Sequence, residues 1–272
     1  MKLGVLIQLQ ENIEEEFKKV ADLGFSCCQL CSWDEAIRTD DMAERVKEAC
    51  KKYNVEISTF WCGWSGPMVW DFYEGPHTLG LVPKEYREKR VAQLKGGSDF
   101  AKKIGVVNLA THAGFLPEVP DTDEYKALIE CLRDVALHIK ENGQYFIFET
   151  GQETPVTLRR VIEDIGTGNL GINLDPANLI LYGKANPVDA LCVFGDLVRD
   201  VHAKDGNYPT DGKHLGKETP IGEGMVNFPA LIKKLKEVGY DGTLTIEREI
   251  SGDEQIKDIK EAKAFLEGNL CL

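Results

Sequence analysis

The sequence predicts an α/β protein built as a single (β/α)8 barrel over residues 1–272. Strand and helix patterns alternate along the chain in eight units with no spare element. Such alternation implies parallel strands joined by right-handed crossovers. The length of 272 residues also suits this fold, because barrels of this type commonly contain about 250 residues.

Short apolar runs mark the predicted strands, and amphipathic runs between them mark the helices. The strands are predicted at residues 3–8, 26–31, 55–61, 106–112, 145–149, 170–175, 197–203 and 243–248. The helices are predicted at 11–23, 40–53, 84–104, 123–142, 155–165, 187–195, 227–238 and 254–267. An open doubly wound sheet would normally carry a glycine-rich turn after its first strand. Residues 8–12 contain no glycine, so the closed barrel is favoured.

Two long loops follow the third and seventh strands, at residues 62–83 and 205–226. Both leave the carboxyl ends of strands, which is the face that carries active sites in barrels. Trp61 lies at the root of the first loop, and Trp64 and Trp70 lie within it. These rings either wall a sugar or another small ligand, or only pack the loop onto the barrel.

Composition narrows the classes of partner and the compartment. A net charge of −13 and a pI near 4.9 disfavour nucleic-acid or anionic-membrane partners. No apolar run approaches the roughly 18 residues of a membrane helix. The first residues have a strand pattern instead of a signal peptide. The cysteines form no regular framework, so we expect free thiols and a cytoplasmic location; they are at 27, 28, 31, 50, 62, 131, 192 and 271.

Four potential metal ligands end four successive predicted strands: Glu149, Asp175, His202 and Glu247. Each follows an apolar run and occupies the phase that points into the barrel. Three carboxylates and one imidazole suit one divalent ion, Mn²⁺ first, with Mg²⁺, Co²⁺ or Zn²⁺ as alternatives. Without a cation, three buried carboxylates would repel one another and some would take up protons.

An ion held there would polarise the carbonyl of a hydroxyketone and acidify the adjacent C–H. Glu149 and Glu247 belong to the fifth and eighth strands, so they could flank such a ligand as an acid/base pair. This arrangement suits epimerisation or aldose–ketose isomerisation through an enediolate.

The motifs also carry a resemblance, at residues 148–150, 173–178, 201–205, 220–224 and 245–247. With them the chain resembles the xylose isomerase-like barrel superfamily of sugar isomerases, sugar epimerases and AP endonucleases. It is most similar to the sugar phosphate isomerase/epimerase branch, which includes ketose 3-epimerases and inosose dehydratases. The resemblance covers essentially the whole chain. It implies that Glu149, Asp175, His202 and Glu247 bind one divalent ion and that the two glutamates shuttle the proton.

Two positions depart from the epimerase pattern. The epimerases usually have histidine where this chain has Asn178, and glutamate where it has Asp205. One alternative is therefore an inosose-dehydratase-like lyase acting on a keto-polyol. An AP endonuclease with three zinc ions is disfavoured, because that cluster needs several extra histidines and the chain has five in all. A non-catalytic sugar-binding barrel would predict a lost ligand set, whereas this set is complete.

Further residues are predicted to bind a small sugar or keto-polyol substrate: His112, Trp61, Trp64, Asn178, Lys204, Asp205 and Arg248. His112 either contacts a substrate hydroxyl, binds a second metal or is a structural strand-end residue. Asp205 is expected to orient His202. Arg248 either pairs with a carboxylate or binds an anionic substrate. His214, in the second long loop, either serves the site or is solvated. A homo-oligomer is possible.

Overall fold

The computed structural model describes residues 1–270, and Cys271 lies outside the described residues. The strands are β1 (Lys2–Gln8), β2 (Cys27–Ser32), β3 (Glu56–Cys62), β4 (Asn108–Thr111), β5 (Tyr145–Glu149), β6 (Leu170–Leu174), β7 (Val198–Ala203), β8 (Asp205–Gly206), β9 (Glu218–Thr219) and β10 (Thr243–Ile246). The α-helices are α1 (Ile13–Asp22), α2 (Asp40–Tyr53), α3 (Gly75–Thr78), α4 (Lys84–Lys103), α5 (Asp123–Glu141), α6 (Pro155–Ile165), α7 (Pro176–Leu181), α8 (Pro187–Phe194), α9 (Phe228–Glu237) and α10 (Asp253–Leu270).

Eight of these strands form a closed parallel barrel in the order β1-β10-β7-β6-β5-β4-β3-β2. The ring closes where β1 pairs with β10, from Lys2 opposite Thr243 to Val5 opposite Ile246. The predicted barrel is therefore confirmed. The remaining strands, β8 and β9, form a small antiparallel hairpin outside it.

The predicted strand boundaries differ from the observed ones near the barrel mouth. The strand predicted at 106–112 is only Asn108–Thr111, and β6 and β10 end at Leu174 and Ile246. Asp175 follows β6 because its carboxylate accepts the backbone N–H of Asn178 and caps α7, a helix that the sequence pattern did not predict. Asp175 and Glu247 are thus the first residues after β6 and β10.

Alternation along the strands separates the helix-facing core from the barrel interior. On β5, Phe146 and Phe148 belong to the large core that includes the helices, and their ring centroids lie 4.7 Å apart. Ile147, between them, belongs to a second apolar cluster with Cys31, Trp61 and Ala110. Since side chains alternate across a strand, Glu149 shares the inward phase of Ile147.

A buried arginine fixes the first long loop to the helix that follows it. Arg90 of α4 is fully buried, and its guanidinium stacks 4.1 Å from the ring centroid of Trp64. The guanidinium donates to backbone carbonyls of Ser65, Pro67, Thr78 and Gly80. Burial lowers the pKa of Arg90 to about 10. The first long loop thus folds around the Arg90 guanidinium, and four of the loop's backbone carbonyls point at it.

The two long loops touch each other across one side of the barrel mouth. The backbone N–H of Phe72 donates to the carbonyl of Lys213 over 2.9 Å, and Asp71 forms an antiparallel bridge with His214. The ring of Phe72 packs edge-on against Tyr182 at 6.2 Å. We call the segments 71–72 and 213–214 the loop bridge.

Two further properties concern the chain as a whole. Within residues 1–270, every helix is too short or too polar to cross a lipid bilayer. The seven cysteines of the described residues are unpaired, and Cys27, Cys28, Cys31 and Cys62 are buried.

Candidate active site

The structure brings the four predicted metal ligands together at the carboxyl ends of β5, β6, β7 and β10. One ligand atom from each of Glu149, Asp175, His202 and Glu247 lies within 4.8 Å of the other three. Nδ1 of His202 is 3.3 Å from Glu149 Oε1, 3.6 Å from Asp175 Oδ2 and 3.0 Å from Glu247 Oε2. We call these four residues the acidic cluster.

Two buried atoms without partners indicate that the ligand atoms of the acidic cluster fit a cation. Asp175 Oδ2 and His202 Nδ1 are buried and have no hydrogen-bond partner among the described residues. Leaving buried polar atoms unsatisfied is unfavourable by about 1–3 kcal/mol each. Carboxylate oxygens with one imidazole nitrogen are ligands for Mn²⁺, Mg²⁺ and related ions. A divalent ion would satisfy both atoms.

Gln29, at the centre of β2, orients the imidazole of His202. Gln29 Oε1 lies 2.8 Å from His202 Nε2, and its amide nitrogen donates to Asn173 Oδ1 over 3.1 Å. Asn173 Nδ2 also lies 3.1 Å from His202 Nε2. The two partners hold the ring through Nε2, so Nδ1 is the atom that faces the carboxylates. Gln29 was not among the predicted site residues, although a glutamine inside the apolar strand 27–31 was a visible signal.

Opposing effects set the charge of the acidic cluster. Burial acts to raise the pKa of Glu149, but His112 and His202 outweigh it and hold this pKa below its usual value. Burial likewise opposes ionisation of Glu247, whereas Lys204 and His202 hold its pKa well below the usual range. For Asp175, burial dominates and raises the pKa. Both glutamates are thus favoured as carboxylates despite their burial.

Lys204 supplies a fixed positive charge beside the cluster. Its ammonium nitrogen lies 3.4 Å from Glu247 Oε2, 3.6 Å from Asp175 Oδ2 and 2.8 Å from Glu249 Oε1. The side chain is buried, so this charge is little screened. Lys204 therefore contacts the predicted base Glu247 directly. Its partner Glu249 was not among the predicted site residues.

Three of the predicted substrate-binding residues contact Glu149. The indole N–H of Trp61 donates to Glu149 Oε2, and the side-chain amide of Asn178 donates to Oε1 over 3.2 Å. Nε2 of His112 lies 3.4 Å from the same oxygen. Nδ1 of His112 is buried and has no hydrogen-bond partner among residues 1–270. Donors from three elements thus hold Glu149 in one orientation.

The structure corrects the predicted role of Asp205. Its carboxylate does not orient His202, because Gln29 does so. Instead it accepts four backbone N–H groups of the second long loop, those of Gly206, Gly222, Gly224 and Val226. These bonds occupy both oxygens, so Asp205 shapes the loop.

The remaining predicted residues, Trp64, Arg248 and His214, lie in three different environments. Trp64 is only 1% exposed and lies under Arg90, so it packs the loop, whereas Trp70 is 39% exposed and lines the cavity. Arg248 pairs with Glu218 and Asp258, which matches the carboxylate alternative, and it also lines the cavity. His214 is exposed and bonds to Asp211, outside the acidic cluster.

A cavity of about 710 Å³ opens above the acidic cluster. Glu149 and Glu247 line it on one side of its floor, and aromatic side chains form a wall: Trp33, Trp61, Trp70, His112 and Tyr182. Pockets for small organic ligands commonly have volumes of about 300–1,000 Å³. The site therefore combines an enclosed space, aromatic walls and two carboxylates that face the same volume.

Comparison with known proteins gives consistent matches. The sequence model of a family described as "Xylose isomerase-like TIM barrel" matches residues 17–268. A solved structure of a xylose isomerase domain protein from Planctomyces limnophilus is 36% identical with a TM-score of 0.93, covering 98% of this chain and 96% of that one. Inosose dehydratase of Lacticaseibacillus casei is 25% identical over 77% of this chain and 86% of its own length. A D-tagatose 3-epimerase-like structure shares the fold, at 24% identity, a TM-score of 0.75 and coverages of 99% and 97%.

Proposed function

Because the chain belongs to the xylose isomerase-like TIM-barrel family, we propose that it is a divalent-metal-dependent sugar epimerase or isomerase. Its substrate class is a ketose or keto-sugar, in which it moves a proton next to the carbonyl. The observation that carries the proposal is the placement of Glu149 and Glu247. Both carboxylates lie within 3.3 Å of the same His202 nitrogen and line the same cavity.

The acidic cluster would hold the ion, for which Mn²⁺ is our first choice, through Glu149, Asp175, His202 and Glu247. When bound, the ion would polarise the substrate carbonyl and acidify the neighbouring C–H. Asp175 and His202 are ligands without a further role, because neither lines the cavity. Gln29 keeps the His202 ring in place through Nε2.

The two glutamates would do the proton transfer. One carboxylate removes the proton from the carbon next to the carbonyl, and the other returns a proton to the resulting enediolate. Lys204 keeps Glu247 ionised, and the donors Trp61 and Asn178 fix the direction of Glu149. The aromatic wall above them would exclude water from the enediolate.

Substitution of either glutamate tests this assignment. In Glu149→Gln and Glu247→Gln, deuterium uptake from D₂O next to the carbonyl should fall by about 10²–10⁴-fold, because each amide lacks a proton-accepting oxygen of comparable basicity. The assay uses Mn²⁺-loaded protein, a panel of ketohexoses and inososes, and NMR detection. Glu223→Gln, at an exposed position, is the control. Full exchange in both active-site variants would remove the acid/base assignment.

A lyase is the second candidate, favoured by the match to inosose dehydratase. The same base would remove the proton, and the departing hydroxyl would leave as water. The panel separates the two reactions, because a lyase product loses the mass of one water, whereas an epimerase product keeps its mass. A three-zinc endonuclease gains no support, since residues 1–270 contain one grouping with metal-ligand geometry and it has a single histidine. Cytoplasmic location and homo-oligomer formation stay predictions.

A further inference from the structure

The cavity extends well beyond the acidic cluster. Besides the aromatic wall, its lining includes residues from the end of β1, from α1, from the loop after β10 and from α10. We call this second part the α1–α10 groove, lined by Gln8, Gln10, Lys19, Ser251 and Gln255. It lies between the first and last β/α units, with Glu247 after β10 on one side and Trp33 after β2 on the other.

The volume exceeds what one sugar ring requires. At about 30 Å³ for each water, 710 Å³ corresponds to roughly two dozen waters, more than one hexose with about a dozen bonded carbon and oxygen atoms would displace. The aromatic wall and the two glutamates account for one ring above the acidic cluster. A monosaccharide would leave the α1–α10 groove filled only with water.

The chemistry of the groove differs from that of the wall. It presents amides, a hydroxyl, an ammonium group and the carboxylate of Glu16, and these suit hydroxyl groups of a ligand. Ile250 and Ile259 add apolar surface for the carbon skeleton. Lys19 Nζ and Gln255 Oε1 are 3.3 Å apart, so α1 and α10 already meet through polar side chains. Ser251 is exposed, so its hydroxyl is accessible to a ligand in the groove.

We propose that the substrate has two units: a keto-sugar over the acidic cluster, linked to a second sugar or polyol unit in the α1–α10 groove. This inference rests on the proposed function for the identity of the first unit. The second unit would contribute binding energy away from the reacting carbon, which enzymes use to hold the reacting end in place.

Binding of a matched pair of probes tests the inference directly. The probes are glucose and cellobiose, each oxidised to a ketone at the same carbon of the nonreducing unit, and binding to Mn²⁺-loaded protein is measured by calorimetry. We expect the keto-cellobiose Kd to be at least about tenfold lower. Ser251→Trp should abolish that difference by filling the groove. Ser26→Trp, an exposed serine before β2 on the opposite face of the barrel, is the matched control and should preserve it.

The outcomes separate this inference from the proposed function. Equal Kd values for the two probes, or no binding of either, would overturn the two-unit substrate. A phenyl glycoside of the same keto-sugar that binds as tightly as keto-cellobiose would overturn the polar nature of the second unit. Tight keto-cellobiose binding without deuterium exchange would instead overturn the epimerase while leaving the two-unit pocket supported. Deuterium exchange together with equal affinity for both probes would support the epimerase and overturn the two-unit substrate.

Discussion

Gln29, inside the barrel, contacts the imidazole of His202 at the candidate metal site. It lies on β2, across the barrel from β7, and its oxygen is 2.8 Å from His202 Nε2. Partners of this kind fix the tautomer and ring orientation of a ligating histidine. The position of Nδ1 therefore depends on a strand that carries none of the four ligands.

Replacing this glutamine should weaken metal binding without removing a ligand. In Gln29→Leu, His202 loses its Gln29 partner at Nε2, and we expect Mn²⁺ affinity to fall by about 10–100-fold. Calorimetric titration of the metal-free protein measures the change, and circular dichroism checks that the fold is intact. Asn207→Leu, at an exposed position outside the cavity lining, is the control. An unchanged Kd in Gln29→Leu would show that ring orientation is set elsewhere.

Glu153 is an acidic residue whose buried surroundings disfavour its charged form. It is buried, its Oε1 has no hydrogen-bond partner among the described residues, and burial raises its pKa to about 8. The folded state therefore holds this proton more tightly than the unfolded state. The contribution to stability is largest below the unfolded pKa near 4.5 and is lost as the pH rises through about 8.

Glu153→Gln should remove this pH dependence. The variant should match the parent at pH values near 4, and at pH values near 9 it should be more stable by a few kcal/mol, since one pKa unit corresponds to about 1.4 kcal/mol. Urea unfolding at three pH values measures the difference, with exposed Glu163→Gln as the control. Parallel stability curves for the parent and Glu153→Gln would contradict the assigned pKa.

At the scale of elements, the first long loop depends on α4. Arg90 donates to four loop carbonyls, and its cation covers Trp64, which in turn lies 6.4 Å from Trp70 between ring centroids. The aromatic wall therefore rests on a buried arginine that lies outside the cavity lining.

Arg90→Met should release the loop while the barrel remains folded. Unsatisfied carbonyls and a lost cation–π contact should lower the free energy of unfolding by about 3 kcal/mol or more. Cleavage by a protease within residues 62–83 should accelerate, because the loop opens locally. Lys89→Met, the exposed neighbour on the same helix, is the control. Equal cleavage rates in both variants would show that other contacts hold the loop.

Parts of this architecture were accessible from the sequence, for physical reasons. Alternating strands and helices predict the barrel, because parallel pairing leaves few topologies. Glu149 and Glu247 were singled out because a charged residue after an apolar strand is unusual, and their catalytic role stays a prediction. Gln29 and Glu249 were missed, because their roles depend on contacts across the barrel that no local pattern encodes. Asp205 was misassigned, since its four partners come from a loop whose path the sequence does not specify.

At the scale of the whole molecule, a metal at the acidic cluster would join the barrel across four strands. A ligand that binds only the folded state stabilises it by about 2.7 kcal/mol at a concentration 100 times its Kd. For a chain of this size that corresponds to a rise in Tm of about 5–10 °C. Stability should therefore depend on the metal concentration.

Calorimetric scans with and without chelator measure this effect. Mn²⁺ should raise the Tm of the parent and leave Asp175→Ala unchanged, and elemental analysis should find one ion per chain in the parent alone. Asp189→Ala, on α8 away from the cluster, is the control. A metal-independent Tm together with no bound ion would remove the metal from the site.

Residues of both the first and the last β/α unit line the α1–α10 groove. β1 and β10 are the strands whose pairing closes the barrel. A ligand in the groove would therefore contact both sides of this closure, and its binding would oppose local separation of the two strands.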